Sequence, residues 1–173
     1  MFTPLIGPRL ILRPFGTDDI TDTYINWLNE PQVVRYSNQR FHIHHRESCE
    51  AYFRSFENSA NLFISICVKG SNCAVGTMTV YRNNHHDTAD VGIMVGASAA
   101  RGKGYGLEAW QLLTDWLLTE GGVRKVTAGT LACNKSMVRL AEQSGMLLEG
   151  VRKNQEIVDG SPEDILYFGR FRE

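Results

Sequence analysis

The sequence has no apolar run approaching the roughly 20 residues that a membrane helix needs. It has no excess of either charge: 18 Lys and Arg stand against 19 Asp and Glu, a formal net charge of −1. The overall balance therefore gives no pointer to nucleic acid as a partner, although a local patch stays open. Cysteine is sparse. Cys49, Cys67, Cys73 and Cys133 form no CxxC pair and show no Cys/His spacing of a zinc site. We expect no metal, and read the four as reduced, buried side chains of a cytoplasmic protein. The N-terminal stretch MFTPLIGPRLILRPFG is apolar but short, broken by prolines and without a small-residue cleavage site. It reads as a strand and not as a signal peptide. Linkers, repeats and low-complexity segments are also missing.

What remains is an ordinary globular composition. With 173 residues, 43% hydrophobic and 21% charged, residues 1–173 are expected to form one domain around one core. Leu10–Arg13 predicts a first strand. Thr17 or Asp18 can cap a helix running to Asn29, where Pro31 follows, and a second helix covers Arg46–Glu57. Leu62–Val68, a turn at KGSN, Val75–Tyr81 and Ala89–Val95 predict three strands. In YGLEAWQLLTDWLLTE, Ala109, Leu112, Leu113, Trp116 and Leu117 fall at helical spacing, with Glu108, Gln111 and Asp115 opposite. Gly121 and Gly122 end that helix. A strand at Val123–Leu131, a helix at Asn134–Ser144 and two strands flanking the turn DGSP complete the pattern. The expectation is an α/β (α+β) fold, about seven strands in a mixed sheet with about four helices packed on it.

The segment RGKGYG, residues 101–106, puts glycines at 102, 104 and 106 between a strand and a helix. A helix N-terminus exposes unpaired N–H groups and a positive dipole end, and glycine lets backbone approach a ligand closely. That suits an anion, most often a phosphate. A Walker A loop would need Ser or Thr after Lys103, where Gly104 stands. A dinucleotide fingerprint would need its third glycine at Leu107. ATP and NAD are therefore disfavoured, while a glycine-rich turn without a ligand stays open.

RGKGYG has the form Arg-x-x-Gly-x-Gly. Between the strand ADVGIMV and a long amphipathic helix it resembles motif A of the GNAT superfamily of acetyl-CoA-dependent N-acetyltransferases. NKSMVRLAEQSGM, opened by Asn134, is similar to the family's N-x-x-S/A helix, where a Gly-Phe pair often follows. EGVRK at Glu149–Lys153, a DG turn before EDILYFG, and the N-terminal LILRPFGTDD extend the resemblance over nearly the whole chain. The last looks like the start of the subgroup holding the ribosomal-protein N-terminal (Rim-type) acetyltransferases. The resemblance implies that the backbone of Arg101, Gly102, Lys103, Gly104, Tyr105, Gly106 and Leu107 cradles the pyrophosphate of coenzyme A. Ile93, Met94 and Val95 would pair with the pantetheine arm, in a gap between this strand and that at Val126–Leu131. Asn134 would bond the arm or the reacting centre, and Arg139 either reaches the 3′-phosphate or sits in solvent.

Acetyl transfer from a thioester to an amine needs a base and an oxyanion donor, and no covalent nucleophile. A backbone amide near Met94 is the candidate donor. Cys133 is read as a small core residue. Asp90, alone in an apolar strand on the face of Gly92 and Met94, is the candidate base. Many family members carry Glu there, and Asp is one methylene shorter. An Asp that caps the strand or pairs with a basic residue is the other reading. The Tyr that many members place seven residues after the Asn is absent, since Ala141 stands there, and Ser136 or a water is left as the acid. The histidines at 42, 44, 45, 85 and 86 are read as solvated loop residues.

The acceptor is sought in YINWLNEPQVVRYSNQR, where W-L-N-x-P followed by Arg, Tyr and a second Arg looks like GNAT proteins of bacterial surface-sugar synthesis. Arg35 and Arg40 would then contact phosphate, and Tyr36 or Trp27 would stack on a ring. Trp27 can equally be core. The expected activity is transfer of acetyl from acetyl-CoA to a primary amine of a nucleotide-linked amino sugar or another small amine. The alternatives are a peptide N-terminus as acceptor, and a non-catalytic coenzyme A binding module. The family resemblance also brings a homodimer into consideration.

Overall fold

The computed structural model describes residues 2–71 and 73–173, so Asn72 of the KGSN turn lies outside the described residues. The chain runs β1 (Leu5–Ile6), β2 (Leu10–Pro14), α1 (Asp22–Asn29), α2 (Pro31–Val34), α3 (Arg46–Arg54), β3 (Leu62–Val68), β4 (Ala74–Asn83) and β5 (Thr88–Val95). It continues through α4 (Tyr105–Leu118), β6 (Lys125–Leu131), α5 (Lys135–Gln143), β7 (Leu147–Val158) and β8 (Ser161–Phe171). The sheet order is β1-β2-β3-β4-β5-β6-β8-β7. Every neighbouring pair is antiparallel except β5 and β6.

The architecture is the mixed, mostly antiparallel α/β sheet expected, with eight strands and five helices among the described residues. The additions are short: the two-residue β1 and the four-residue α2, which starts on Pro31. The first helix begins later than expected, because Thr17–Asp19 closes into a 3-10 turn. Thr21 is the cap of α1, its side chain accepting from the N–H of Tyr24. The β7–β8 hairpin turns on Asp159 and Gly160, with φ of 49° and 80°, between the paired Val158 and Ser161. Two successive positive φ values are what a two-residue loop matching strand twist requires.

The two faces of the sheet carry different cores. On one, α4 and α5 pack over Leu10, Leu12, Ile64, Ile66, Met78, Val80, Val91 and Val126. On the other, α1 and α3 cover an aromatic cluster centred on Phe63, whose ring stacks on Phe15 at 4.1 Å and on Phe56 at 5.1 Å. Trp27 belongs to this cluster and is buried. Its indole lies so close to Gly96 that a Cβ there would overlap the ring.

The buried side of α4 is rotated from the expected stripe. Trp110, with Ala109, Leu113, Thr114, Leu117 and Leu118, is buried, while Leu112 and Trp116 are only partly covered. Trp116 meets Phe2 edge-on at 5.0 Å, so the N-terminal segment covers that side of the helix. Trp110→Ala is therefore expected to lose about 3–5 kcal/mol of stability, and Trp116→Ala clearly less. Guanidinium denaturation of the two variants checks this, and equal losses would contradict the rotation.

Candidate functional site

Strands β5 and β6 pair only over Thr88–Asp90 and Lys125–Thr127. Beyond that, β6 stays with β8 as far as Leu131, while β5 stays with β4 as far as Val95. The two strands thus part after the Asp90–Thr127 pair and leave a wedge-shaped gap. Gly96 donates its N–H to Val75 on β4 at 3.0 Å. By the two-residue alternation of an antiparallel ladder, Met94 and Gly92 also turn their polar backbone to β4. The Met94 carbonyl indeed lies against Gly76 of β4, where a Cβ would collide with it. Met94 is therefore not placed to donate its N–H to an oxyanion. The N–H and C=O groups of Ile93 and Val95 face the gap instead, where β6 has withdrawn.

The glycine loop stands at the open end of this gap. Gly106, in the first turn of α4, lies beside Val95 of β5 and Leu140 of α5. Gly102 and Gly104 hold φ of 74° and 77°, which glycine adopts without strain. The N–H of Arg101 closes a turn onto the Ser98 carbonyl at 3.1 Å, so Arg101 does not share in a cradle through its backbone. Among the described residues, the N–H groups from Gly102 to Leu107 meet no protein acceptor. Six such donors at the start of a 14-residue helix fit a pyrophosphate.

Sequence reasoning missed the brace behind the loop. Arg9 donates to the Glu108 carboxylate at 2.6 Å and to the Lys103 carbonyl at 2.8 Å, and its guanidinium lies 4.9 Å from the Tyr105 ring centre. Glu108 also accepts from the backbone N–H groups of Arg9 and Leu10. Burial opposes ionising Glu108, but these donors outweigh it and hold its pKa below the ordinary value. Spaced 99 residues apart in sequence, the pair leaves no local signal.

The candidate catalytic residues lie around the gap. Asp90 sits at its vertex, on the aromatic side of the sheet. Its Oδ1 accepts the Thr127 hydroxyl at 2.7 Å, and among the described residues it makes no ion pair. Burial pushes its pKa up, even though the carboxylate keeps surface in solvent, and the Thr127 bond opposes that only in part. Asn134 caps α5: its side chain accepts from the Met137 N–H at 3.3 Å and donates to the Thr130 hydroxyl at 3.2 Å. Ala141 is buried in the core, and Ser136 and Arg139 are exposed. Burial raises the pKa of the half-buried Cys133, with Glu163 adding to it, which disfavours a thiolate.

The region expected to shape the acceptor site is tied to the last hairpin. Arg35 pairs with Asp159 at 2.7 Å. Arg40 pairs with Glu156 at 3.5 Å and donates to the Ile157 carbonyl at 3.2 Å. Tyr36 and Phe41 lie beside these guanidinium groups. Both arginines thus have carboxylate partners within the chain, and Trp27 is committed to core packing. A cavity of about 460 Å³ between α4, α5 and the end of β8 lies away from the gap, lined by Gln111, Asp115, Ser144 and Arg170 among others. Among the described residues, no three His, Cys, Asp or Glu side chains gather as a metal would need, and no helix is long and apolar enough to cross a membrane.

Arg9→Met should raise the KM for acetyl-CoA several-fold with kcat nearly kept, because the loop loses its brace and not its donors. Steady-state kinetics with acetyl-CoA varied checks this. The Glu108 brace should also be pH-dependent. A carboxyl with a lowered folded pKa stabilises above its unfolded value, about 4.3, and that contribution is lost as pH falls through the folded value. Urea unfolding should accordingly separate wild type from Glu108→Gln at pH 7 and bring them together as pH falls through the folded value of Glu108.

Comparison with known proteins agrees with this geometry. No curated protein sequence matches the chain. Among solved structures, a GNAT-family acetyltransferase from Bacillus anthracis superposes with a TM-score of 0.83 at 20% identity, covering 98% of each chain. The spermidine N-acetyltransferase of Vibrio cholerae, in complex with CoA and spermine, gives 0.85 at 18% identity, covering 95% of this chain and 96% of that one. The ribosomal-protein-S5-alanine acetyltransferase of Vibrio fischeri gives 0.83 at 15% identity over 99% and 98%. At these identities the likeness speaks for the fold. The family model of the acetyltransferase (GNAT) domain matches residues 9–147, and the chain belongs to this family of acyltransferases, which use acetyl-CoA.

Proposed function

We propose that this acetyltransferase acts on a small-molecule primary amine, with Asp90 as its general base. The observation that carries the reading is Asp90 itself. It is a carboxylate without a basic partner among the described residues, at the vertex of the gap, and burial raises its pKa. A raised value brings a carboxylate closer to the proton affinity a base needs near neutral pH. Asp90 takes a proton from the acceptor ammonium, directly or through one water. The freed nitrogen then attacks the acetyl carbonyl, the carbon–sulfur bond breaks, and the coenzyme A thiolate leaves as the thiol, taking the proton that the attacking nitrogen gives up. When bound, acetyl-CoA supplies an already activated thioester. The N–H groups of Ile93 and Val95, which face the gap, are the donors for the developing oxyanion in place of that of Met94. The donors from Gly102 to Leu107 bind the pyrophosphate, and Asn134 uses its remaining N–H toward the arm.

The acceptor class is inferred from the rim. Arg35 and Arg40 are paired with Asp159 and Glu156, so a phosphate would compete with a carboxylate at each, which supports a small amine over a nucleotide-linked amino sugar. The same two contacts join α2 and the following turn to the hairpin tip. This leaves a small amine as the favoured acceptor. The likeness to the ribosomal-protein-S5-alanine acetyltransferase supports the second reading, a protein N-terminus. The four cysteines, none in a disulfide, support a reducing compartment such as the cytoplasm.

Thiol release from acetyl-CoA is the test, with spermidine and other small amines, nucleotide-linked amino sugars, and peptides with free N-termini run side by side. Turnover confined to the small amines is expected, and turnover confined to peptides would replace this reading by the second. Asp90→Asn should lower kcat by about 10²–10⁴-fold while acetyl-CoA binding is kept. A raised folded pKa means that Asp90 favours the fold when protonated and costs stability once pH rises through that value. Asp90→Asn should therefore be at least as stable as wild type at pH 7, and the rate of wild type should fall at low pH with a midpoint above the ordinary Asp value.

A further inference from the structure

We propose that Thr127 is a positioning residue for the reaction: its hydroxyl fixes the Asp90 carboxylate so that Oδ2 alone is left for the acceptor amine. The proposal rests on the reading of Asp90 as the base and goes beyond it to the group that orients it. Asp90 and Thr127 are register partners, the last pair before β5 and β6 separate. The Thr127 hydroxyl donates to Oδ1 at 2.7 Å, and among the described residues Asp90 Oδ2 has no hydrogen-bond partner. An aspartate at a sheet vertex can turn about χ1 and χ2 into either side of the gap. One short bond from a β-branched residue, itself stiff at χ1, removes that freedom. Thr127 is held on both edges of β6, by β5 at Asp90 and by β8 at Gly169.

The surroundings of Asp90 leave this bond as its specific polar contact. On the same face the register places Tyr81 on β4, Lys125 on β6 and Tyr167 on β8. Lys125 is paired with Glu149 of β7 at 2.7 Å, the Arg152 guanidinium of β7 lies over the Tyr167 ring, and the Tyr81 hydroxyl is bonded to that of Tyr52 on α3 at 2.7 Å. None of these charged groups contributes to the Asp90 pKa, whereas the Thr127 bond lowers it against the burial that raises it. Removing the hydroxyl should free the carboxylate and let burial act unopposed.

The test is a titration of the aspartate side-chain carboxyl carbons by NMR in the full chain, the Asp90 signal being identified by its loss in Asp90→Asn. Thr127→Val keeps the shape and removes the donor, and Thr127→Ser restores it. The Asp90 midpoint should rise by about half a pH unit or more in Thr127→Val, as expected when a bond to the charged form is lost, and return in Thr127→Ser. Thiol release with spermidine, and with an alanine-initiated peptide, should fall about tenfold in Thr127→Val, with acetyl-CoA binding kept and the acid limb moved upward. An unmoved midpoint would overturn the proposal, as would a moved midpoint with unchanged turnover. If Thr127→Val fails to fold, Thr127→Ala and Thr127→Ser are compared by the same titration. Full turnover by Asp90→Asn would overturn the base reading and the proposal with it. Loss of turnover in Asp90→Asn with a wild-type midpoint and rate in Thr127→Val would overturn the proposal alone.

Discussion

The separation of β5 from β6 after Asp90 and Thr127 is the constraint on which the rest of the site depends. Among the described residues they are the only parallel neighbours in the sheet, and each keeps a full antiparallel partner on its other side. Hydrogen bonding therefore holds both strands in place while the space between them opens. An open edge inside a sheet leaves backbone donors and acceptors without partners, which is costly unless water or a ligand answers them. Here the unanswered groups belong to Ile93 and Val95, and among the described residues the helix N-terminus at the mouth of the same gap carries N–H groups without a well-formed protein partner. The gap and the loop make sense together, as two parts of one elongated site for a molecule with a polar arm and a phosphate end.

This geometry divides the labour between the two sides of the sheet. The α4–α5 side holds the larger aliphatic core and carries the phosphate loop on a helix whose buried face is anchored by Trp110 and Leu113. Glu108, one turn into that helix, is bound by Arg9 and by the start of β2, so the loop is braced from the far edge of the sheet. The aromatic side holds Asp90 and Thr127, beside a cluster in which Phe63 contacts four other rings. On the proposed reading, anion binding and proton removal would fall on opposite faces, with the gap as the passage between them. A positive loop and a carboxylate that should stay basic are kept apart by the sheet itself.

Much of this was legible in the sequence because it is local. The spacing RGKGYG between an apolar strand and an amphipathic helix, the Asn134 cap and the DG turn each follow from residues near one another, and the structure has a helix start, a cap and a two-residue turn there. Asp90 stood out as the one carboxylate in an apolar strand. What sequence did not reveal depends on contacts between distant segments. The buried face of α4 is turned toward Trp110, and the distant Phe2 meets Trp116 on the other side. The resemblance suggests Arg35 and Arg40 as phosphate contacts, while Asp159 and Glu156 reach them from more than a hundred residues away, a contact that the sequence does not show. A backbone amide near Met94 is the donor the sequence offers, since side-chain alternation alone does not tell which edge of the strand an amide faces. That needs the register to β4, which only the folded sheet supplies.

The one-methylene deficit of Asp90 relative to glutamate then takes on a structural meaning. A shorter side chain reaches less far into the gap, so its orientation matters more, since a wrong rotamer cannot be recovered by a flexible stem. Glutamate can search for its proton; aspartate must be aimed. On the proposed reading, a threonine paired with it at the point where the strands part would supply that aim from backbone held on both sides. The cost is a bond that lowers the proton affinity of the base, and burial at the vertex works in the opposite direction. Position and basicity are thus set by two separate features of the same spot, the register partner and the enclosure, and either can be altered without the other.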